Sequence, residues 1–130
     1  MIKLWTPDTM PKPASRYNQL ALAENTTRRL EISGQIGTLP GGKVAEGLAA
    51  QLDAALANVD TALAAAGMGR ANLMKITIYL TENSPEAVSI YRARRDAWVG
   101  EAPAPAATLL IVAGLASPAL LVEVDAVAAA

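Results

Sequence analysis

Leu48, Leu52, Ala55, Leu56, Val59, Leu63 and Ala66 recur at steps of three and four residues, which places them on one stripe of a helix from about Ala45 to Ala66. Gln51, Asp53, Asn58 and Asp60 fall mostly off that stripe, and Gly67 is a natural stop. Only one other segment reads as a helix. Ser84 supplies an N-cap, Pro85 suits the first turn, and the segment runs to about Val99 with Val88, Tyr91 and Trp98 inward. The rest of the regular chain reads as strands: Ile2–Trp5, Gln19–Ala23, Arg28–Gln35, Asn72–Thr81, Thr108–Val112 and Leu120–Val127. The order is β-β-β-α-β-α-β-β, an α+β arrangement. Two helices cover only one face of such a sheet. The other face is expected to be too apolar for water, which predicts a partner subunit.

Asn72–Thr81 alternates, with Met74, Ile76, Ile78 and Leu80 on one side and Lys75, Thr77, Tyr79 and Thr81 on the other. Leu120–Val127 also alternates and sets Leu121, Glu123, Asp125 and Val127 on one side. Thr108–Val112 is continuously apolar, so both of its faces are expected to be covered. Glu24-Asn25-Thr26-Thr27 suits a hairpin turn between the second and third strands, and Leu39–Lys43 forms another turn. Pro7, Pro11 and Pro13 force an irregular loop between the first two strands.

The 130 residues are the size of one domain, and residues 1–130 are read as a single one. Apolar residues make up 52% of the chain, but many are alanine and none is Phe. Small side chains bury little area at about 25 cal/mol per Å², so a thin core favours further burial between subunits. The formal net charge is −1, and no basic stripe points to nucleic acid. No apolar run is long enough to span a bilayer, and the N-terminal residues lack the apolar stretch of a signal peptide. With no cysteine, the expected location is cytoplasmic. The absence of His and Cys removes the Ser-His-Asp triad, the thiolate nucleophile and the ordinary zinc site. No metal and no cofactor are expected, so chemistry falls to Glu, Asp, Lys, Arg, Tyr, Ser, Thr or the backbone.

Four places could carry it. In Ile32-Ser33-Gly34-Gln35-Ile36 the glycine either admits a ligand or another backbone, or marks a bulge or strand exit. Glu123 and Asp125 point the same way from an otherwise apolar strand. They are either perturbed carboxylates fit for acid–base work or the wet face of an edge strand. Tyr17 offers a phenol from a loop, or packs. Thr108, after Pro105-Ala106-Ala107, offers a hydroxyl and a backbone donor where the chain enters a strand. Arg92, Arg94 and Arg95 read as a solvated helix face, and Trp98 as core.

Together these segments resemble the Rid family, the reactive-intermediate deaminases also called YjgF proteins. ISGQIG at Ile32–Gly37, AAQLDAALANVDTALAAAGM with Gln51 and Asn58, LMKITIYLTE, the proline before the apolar strand and the final LVEVDAVA stand in the family's order and spacing. The resemblance implies a chorismate-mutase-like fold, with two helices on one face of a mixed sheet, and a homotrimer with pockets at the clefts between subunits. It implies hydrolysis of imines and enamines, such as 2-aminoacrylate and its tautomer, to a keto acid and ammonia. Tyr17, Ser33, Gly34, Thr108 and Glu123 match pocket positions, and Glu123 would position or activate the attacking water. Active members carry Pro-Ala-Arg-Ser/Thr, in which the arginine clamps the substrate carboxylate through two parallel donors. Here that position is Ala107. The resemblance therefore implies an atypical substrate, and the space beside Ala107 is expected to be apolar and to suit a neutral or bulkier ligand.

The leading reading is a deaminase of an imine or enamine other than 2-aminoacrylate. The alternative is a non-catalytic trimer that binds a small metabolite or a partner protein. A ribonuclease would need a basic groove, which the balanced charge does not supply.

Overall fold

The computed structural model describes residues 1–130. Its elements are β1 (Ile2–Trp5), β2 (Leu20–Ala23), β3 (Arg29–Ile36), α1 (Leu48–Ala65), β4 (Leu73–Leu80), α2 (Pro85–Val99), β5 (Ala106–Ile111) and β6 (Val122–Ala129). β3, β6, β4 and β5 form a four-stranded sheet in that order. β6 runs antiparallel to both β3 and β4, whereas β4 and β5 are parallel because α2 crosses between them. The sheet is therefore mixed, and both helices pack on one of its faces.

α1 begins at Leu48, three residues later than its apolar stripe suggests. Val44 bridges back to Thr38, and Ala45 N–H bonds Gly37 O at 2.8 Å, so this stretch is still extended. The stripe itself holds: Leu52, Ala55, Leu56, Val59 and Leu63 are buried. They meet Ile76, Ile78, Leu80, Val122, Val124 and Ala126 in a contiguous cluster of 18 buried residues. α2 starts as its sequence directs, with the Ser84 hydroxyl accepting from Ala87 N–H at 3.1 Å. Asp60 on α1 accepts from Trp98 Nε1 at 3.0 Å and from Arg70 Nε and Nη2 at 2.9 and 2.8 Å, which ties α1 to the end of α2.

Two polar side chains of α1 fix the ends of strands. Buried Gln51 donates to Ala119 O and accepts from Leu121 N–H, both at 2.9 Å, and so holds the entry to β6. Asn58 Nδ2 donates to Ile36 O at 3.3 Å and Thr38 O at 3.0 Å, and holds the exit from β3. Gly37 lets the two elements meet, since a Cβ there would lie 2.6 Å from the backbone Cα of Gln51.

Several expectations need correction. β2 and β3 form no hairpin; β2 pairs with β1 in a separate two-stranded sheet. The C-terminus claims the start of β3 instead: Thr27 and Arg28 N–H both bond Ala130 O at 3.0 Å. β4 carries a register shift between Leu73 and Lys75, so Leu73 rather than Met74 reaches the core. β5 is not covered on both faces. It is an edge strand of the sheet, with Leu110 44% and Ile111 40% exposed.

The face away from the helices is mixed rather than uniformly apolar. Lys75, Thr77, Tyr79, Thr108, Glu123 and Asp125 occupy it, all half-buried. Ala106, Val127 and exposed Leu110 share this face by register, whereas exposed Ile111 stands beside Leu80 on the helix side and exposed Leu22 lies on β2. Arg95 is not on a solvated face of α2: only 2% of it is exposed.

Candidate functional site

Strand alternation sorts the candidate residues into two groups on opposite faces of the sheet. Ala107 stands beside Ile76, which is fully buried, so its side chain lies on the helix side. Thr108 stands beside Thr77, and Glu123 beside Tyr79, on the open side. The sheet itself keeps Glu123 from the Ala107 side of its own chain.

On the open side, Ser33 and Gly34 form a bulge where β3 passes β6, since the pairing steps from Ile32 opposite Ala126 to Gln35 opposite Val124. Within the chain, what comes close to Gly34 is the side chain of Glu123. A Cβ on Gly34 would lie 2.6 Å from Glu123 Cδ and 2.9 Å from Cγ. Ser33 is exposed, and its carbonyl accepts from Gln35 Nε2 at 2.9 Å. Asp125 is engaged by Tyr79, whose hydroxyl donates to Oδ2 at 2.7 Å. That hydrogen bond to the carboxylate, then burial and the nearby charges of Asp125 and Glu123, hold the phenol above the ordinary tyrosine range. Lys75 Nζ donates to Thr108 Oγ1 at 2.7 Å. The chain gives the Glu123 carboxylate no hydrogen-bond donor, although Tyr79 satisfies its neighbour Asp125. No three acidic side chains converge into a cage for a cation.

On the helix side a cavity of about 230 Å³ opens between β5, α2 and the loop before β2, with Tyr17, Ala107 and Leu109 on its wall. The loop is seated there by Asn18. Its N–H bonds Pro105 O at 3.2 Å, and its Nδ2 bonds Ala104 O at 2.7 Å. Arg16 fastens the same loop to the end of α2 by donating to the carbonyls of Asp96, Gly100 and Ala102 at 3.3, 2.5 and 3.2 Å. A cation suits those carbonyls, where the helix dipole is negative. Tyr91, Arg92 and Arg95 complete the wall from α2. The wall beside Ala107 is therefore mixed: Arg92 and Arg95 line it together with Ala14, Ala107 and Leu109.

Sequence reasoning missed Tyr79, Tyr91, Lys75 and Arg95. The signal for Arg95 was available. Val88, Tyr91, Arg95 and Trp98 follow steps of three and four, so the arginine sits on the inward stripe of α2. Alternation groups Lys75 with Tyr79, and the register of β4 with β6 puts them on the face of Glu123.

A mixed four-stranded sheet with two helices on one face, a free carboxylate on the other and a cavity at its edge defines an α+β chain of the chorismate-mutase-like type. Residues 8–130 match the family described as Endoribonuclease L-PSP, and the chain belongs to that family, whose members also carry the names RutC, Rid and YjgF. A RutC family protein of Aquifex aeolicus is 42% identical over 73 residues, which are 55% of this chain and 56% of that relative. The match thus spans little more than half the relative's length. The structure of YyfB from Yersinia pestis, a conserved Rid-family protein of unknown function, is similar with a TM-score of 0.90 and 27% identity, covering 99% of this chain and 98% of that one. The YjgF gene product of E. coli has a TM-score of 0.72 and 26% identity, with 98% of each chain covered. No helix is long and apolar enough to cross a membrane.

Proposed function

We propose that the chain is a Rid-type hydrolytic deaminase of a reactive imine or enamine, assembled as a homotrimer whose clefts join the open sheet face of one subunit to the edge cavity of the next. The observation that carries this reading is the Glu123 carboxylate. It is half-buried, unpaired, and held over a glycine that leaves room for it. In the reaction, Glu123 takes a proton from a water molecule while the water oxygen attacks the imine carbon. Glu123 passes that proton to the imine nitrogen, then carries the hydroxyl proton of the carbinolamine to the same nitrogen, which leaves as ammonia as the carbonyl forms. One water is consumed, one ammonia is released, and no oxidant is needed. Tyr17 and the chain around Thr108 line the binding space, Ser33 and Gly34 shape the carboxylate side, and Ala107 makes the substrate atypical.

The test is ammonia release from imines generated in place by amino-acid oxidases, compared between the wild type and Glu123→Ala. A large loss in the variant is expected, and equal rates end the catalytic reading. Light scattering at micromolar concentration should report three copies; a stable lone subunit removes the composite cleft. The second reading, a non-catalytic trimer binding a small metabolite, is favoured by Ala107, which lacks a clamping guanidinium. Stabilisation by a metabolite in a thermal-shift screen, with no turnover of any imine, would select it.

A further inference from the structure

The cavity beside Ala107 is rich in donors and poor in acceptors. Its wall includes Ser15, Tyr17, Tyr91, Arg92 and Arg95, and no acidic side chain lines it. Arg95 carries a permanent charge at 2% exposure, a situation that demands compensation. The chain compensates it only in part. Nε donates to Asp96 Oδ1 at 3.1 Å, and Nη1 donates to Tyr91 Oη at 3.1 Å and to Ser15 Oγ at 3.3 Å. Nη2 approaches Asp96 Oδ1 to 3.0 Å but makes no hydrogen bond there or elsewhere. Asp96 is a weak counter-ion, because its side chain is 44% exposed. Arg92 adds an exposed guanidinium that no carboxylate of the chain pairs. Tyr91 accepts from Arg95, but its own proton goes to no acceptor within the chain.

We infer that this cavity binds the carboxylate of a small organic acid, with Arg95 as its buried anchor and Arg92 at its mouth. Ala107 then has a positive reason. An arginine at 107 would bring a third cation into about 230 Å³ already faced by two. The guanidinium function is moved from β5 to α2, so a carboxylate is approached from the helix side of the sheet rather than along the strand. The volume and the apolar atoms of Ala107 and Leu109 suit a ligand of a few carbons. Naming that carboxylate as part of the substrate rests on the deaminase reading; the binding itself does not.

The experiment titrates the full chain by calorimetry with 2-oxobutanoate, with its neutral amide and with inorganic phosphate. The carboxylate should bind, the amide about tenfold or more weakly, in line with loss of a charged hydrogen bond, and phosphate more weakly than the carboxylate. Arg92→Gln, a change at an exposed position, should weaken the carboxylate about tenfold and leave the amide unchanged. Arg95→Gln should abolish carboxylate binding where circular dichroism shows it folded, and Ser15→Ala, which removes a partner of Nη1, gives a second variant should Arg95→Gln unfold. An amide bound as tightly as the carboxylate, phosphate bound better, or an unaltered affinity in Arg92→Gln overturns the assignment. Carboxylate binding with these properties but no ammonia release from any imine keeps the anion site and removes the deaminase reading. Turnover that depends on Glu123 without carboxylate binding does the reverse.

Discussion

The carboxyl group of Glu123 occupies the volume that a side chain on Gly34 would fill, 2.6 Å from Cδ to the position of a Cβ. Gly34 has no positive φ, so alanine suits its backbone. What must move is the end of a flexible glutamate. Gly34→Ala should therefore leave stability within about 1 kcal/mol while displacing Glu123. Ammonia release should fall nearly as far as in Glu123→Ala, with the denaturant midpoint almost unchanged.

Gly37→Ala should behave in the opposite way. Its Cβ would meet the Cα of Gln51 at 2.6 Å, and helix backbone cannot rotate aside. Overpacking of this kind costs about 1–3 kcal/mol. Urea unfolding should show that loss.

Gln51→Leu should also destabilise. It leaves half-buried Leu121 N–H without its partner, while exposed Ala119 O can turn to water. The unpaired Leu121 N–H costs roughly 1–3 kcal/mol. Hydrogen exchange should quicken first at Leu121, before the core strands open.

Tyr79 sets an alkaline prediction. Its phenol keeps its proton above the ordinary tyrosine range because Asp125 accepts from it and the neighbouring charges oppose a phenolate. The folded state thus holds the proton more tightly than the unfolded chain does. The stabilisation is fully present below the ordinary phenol value and is lost as pH rises through the raised one. Phenolate absorbance in Tyr79→Phe should lack a late-titrating component seen in the wild type, and the variant's stability should fall less steeply at high pH.

Local periodicity made much of the fold legible. The stripe of α1, the alternation of β4 and β6, and the Ser84-Pro85 start of α2 depend on neighbours along the chain, and the structure keeps them. Pairing was less legible because it is decided at a distance. Residues 24–27 suit a hairpin, yet Ala130 takes the N–H groups of Thr27 and Arg28 and draws β3 to β6. The continuous apolar run of β5 fits a buried strand as well as an edge that carries Leu110 and Ile111 outward. At the site, Gly34 and Glu123 were separately visible, but their contact spans the bulge at Ser33. Arg95 stayed hidden because a charge between Arg94 and Asp96 reads as surface, although its position on the α2 stripe is a core position.

Ala107 and Glu123 project from opposite sides of one sheet, and this has a genetic corollary. In the proposed trimer, mixed subunits would form a cleft whose two walls come from different mutants. Glu123→Ala would damage one wall and Arg95→Gln the other, so each alone should be inert. Co-expressed, the two should yield some clefts with both walls intact, and measurable turnover should return. A chain that kept its whole site to itself would show no such rescue.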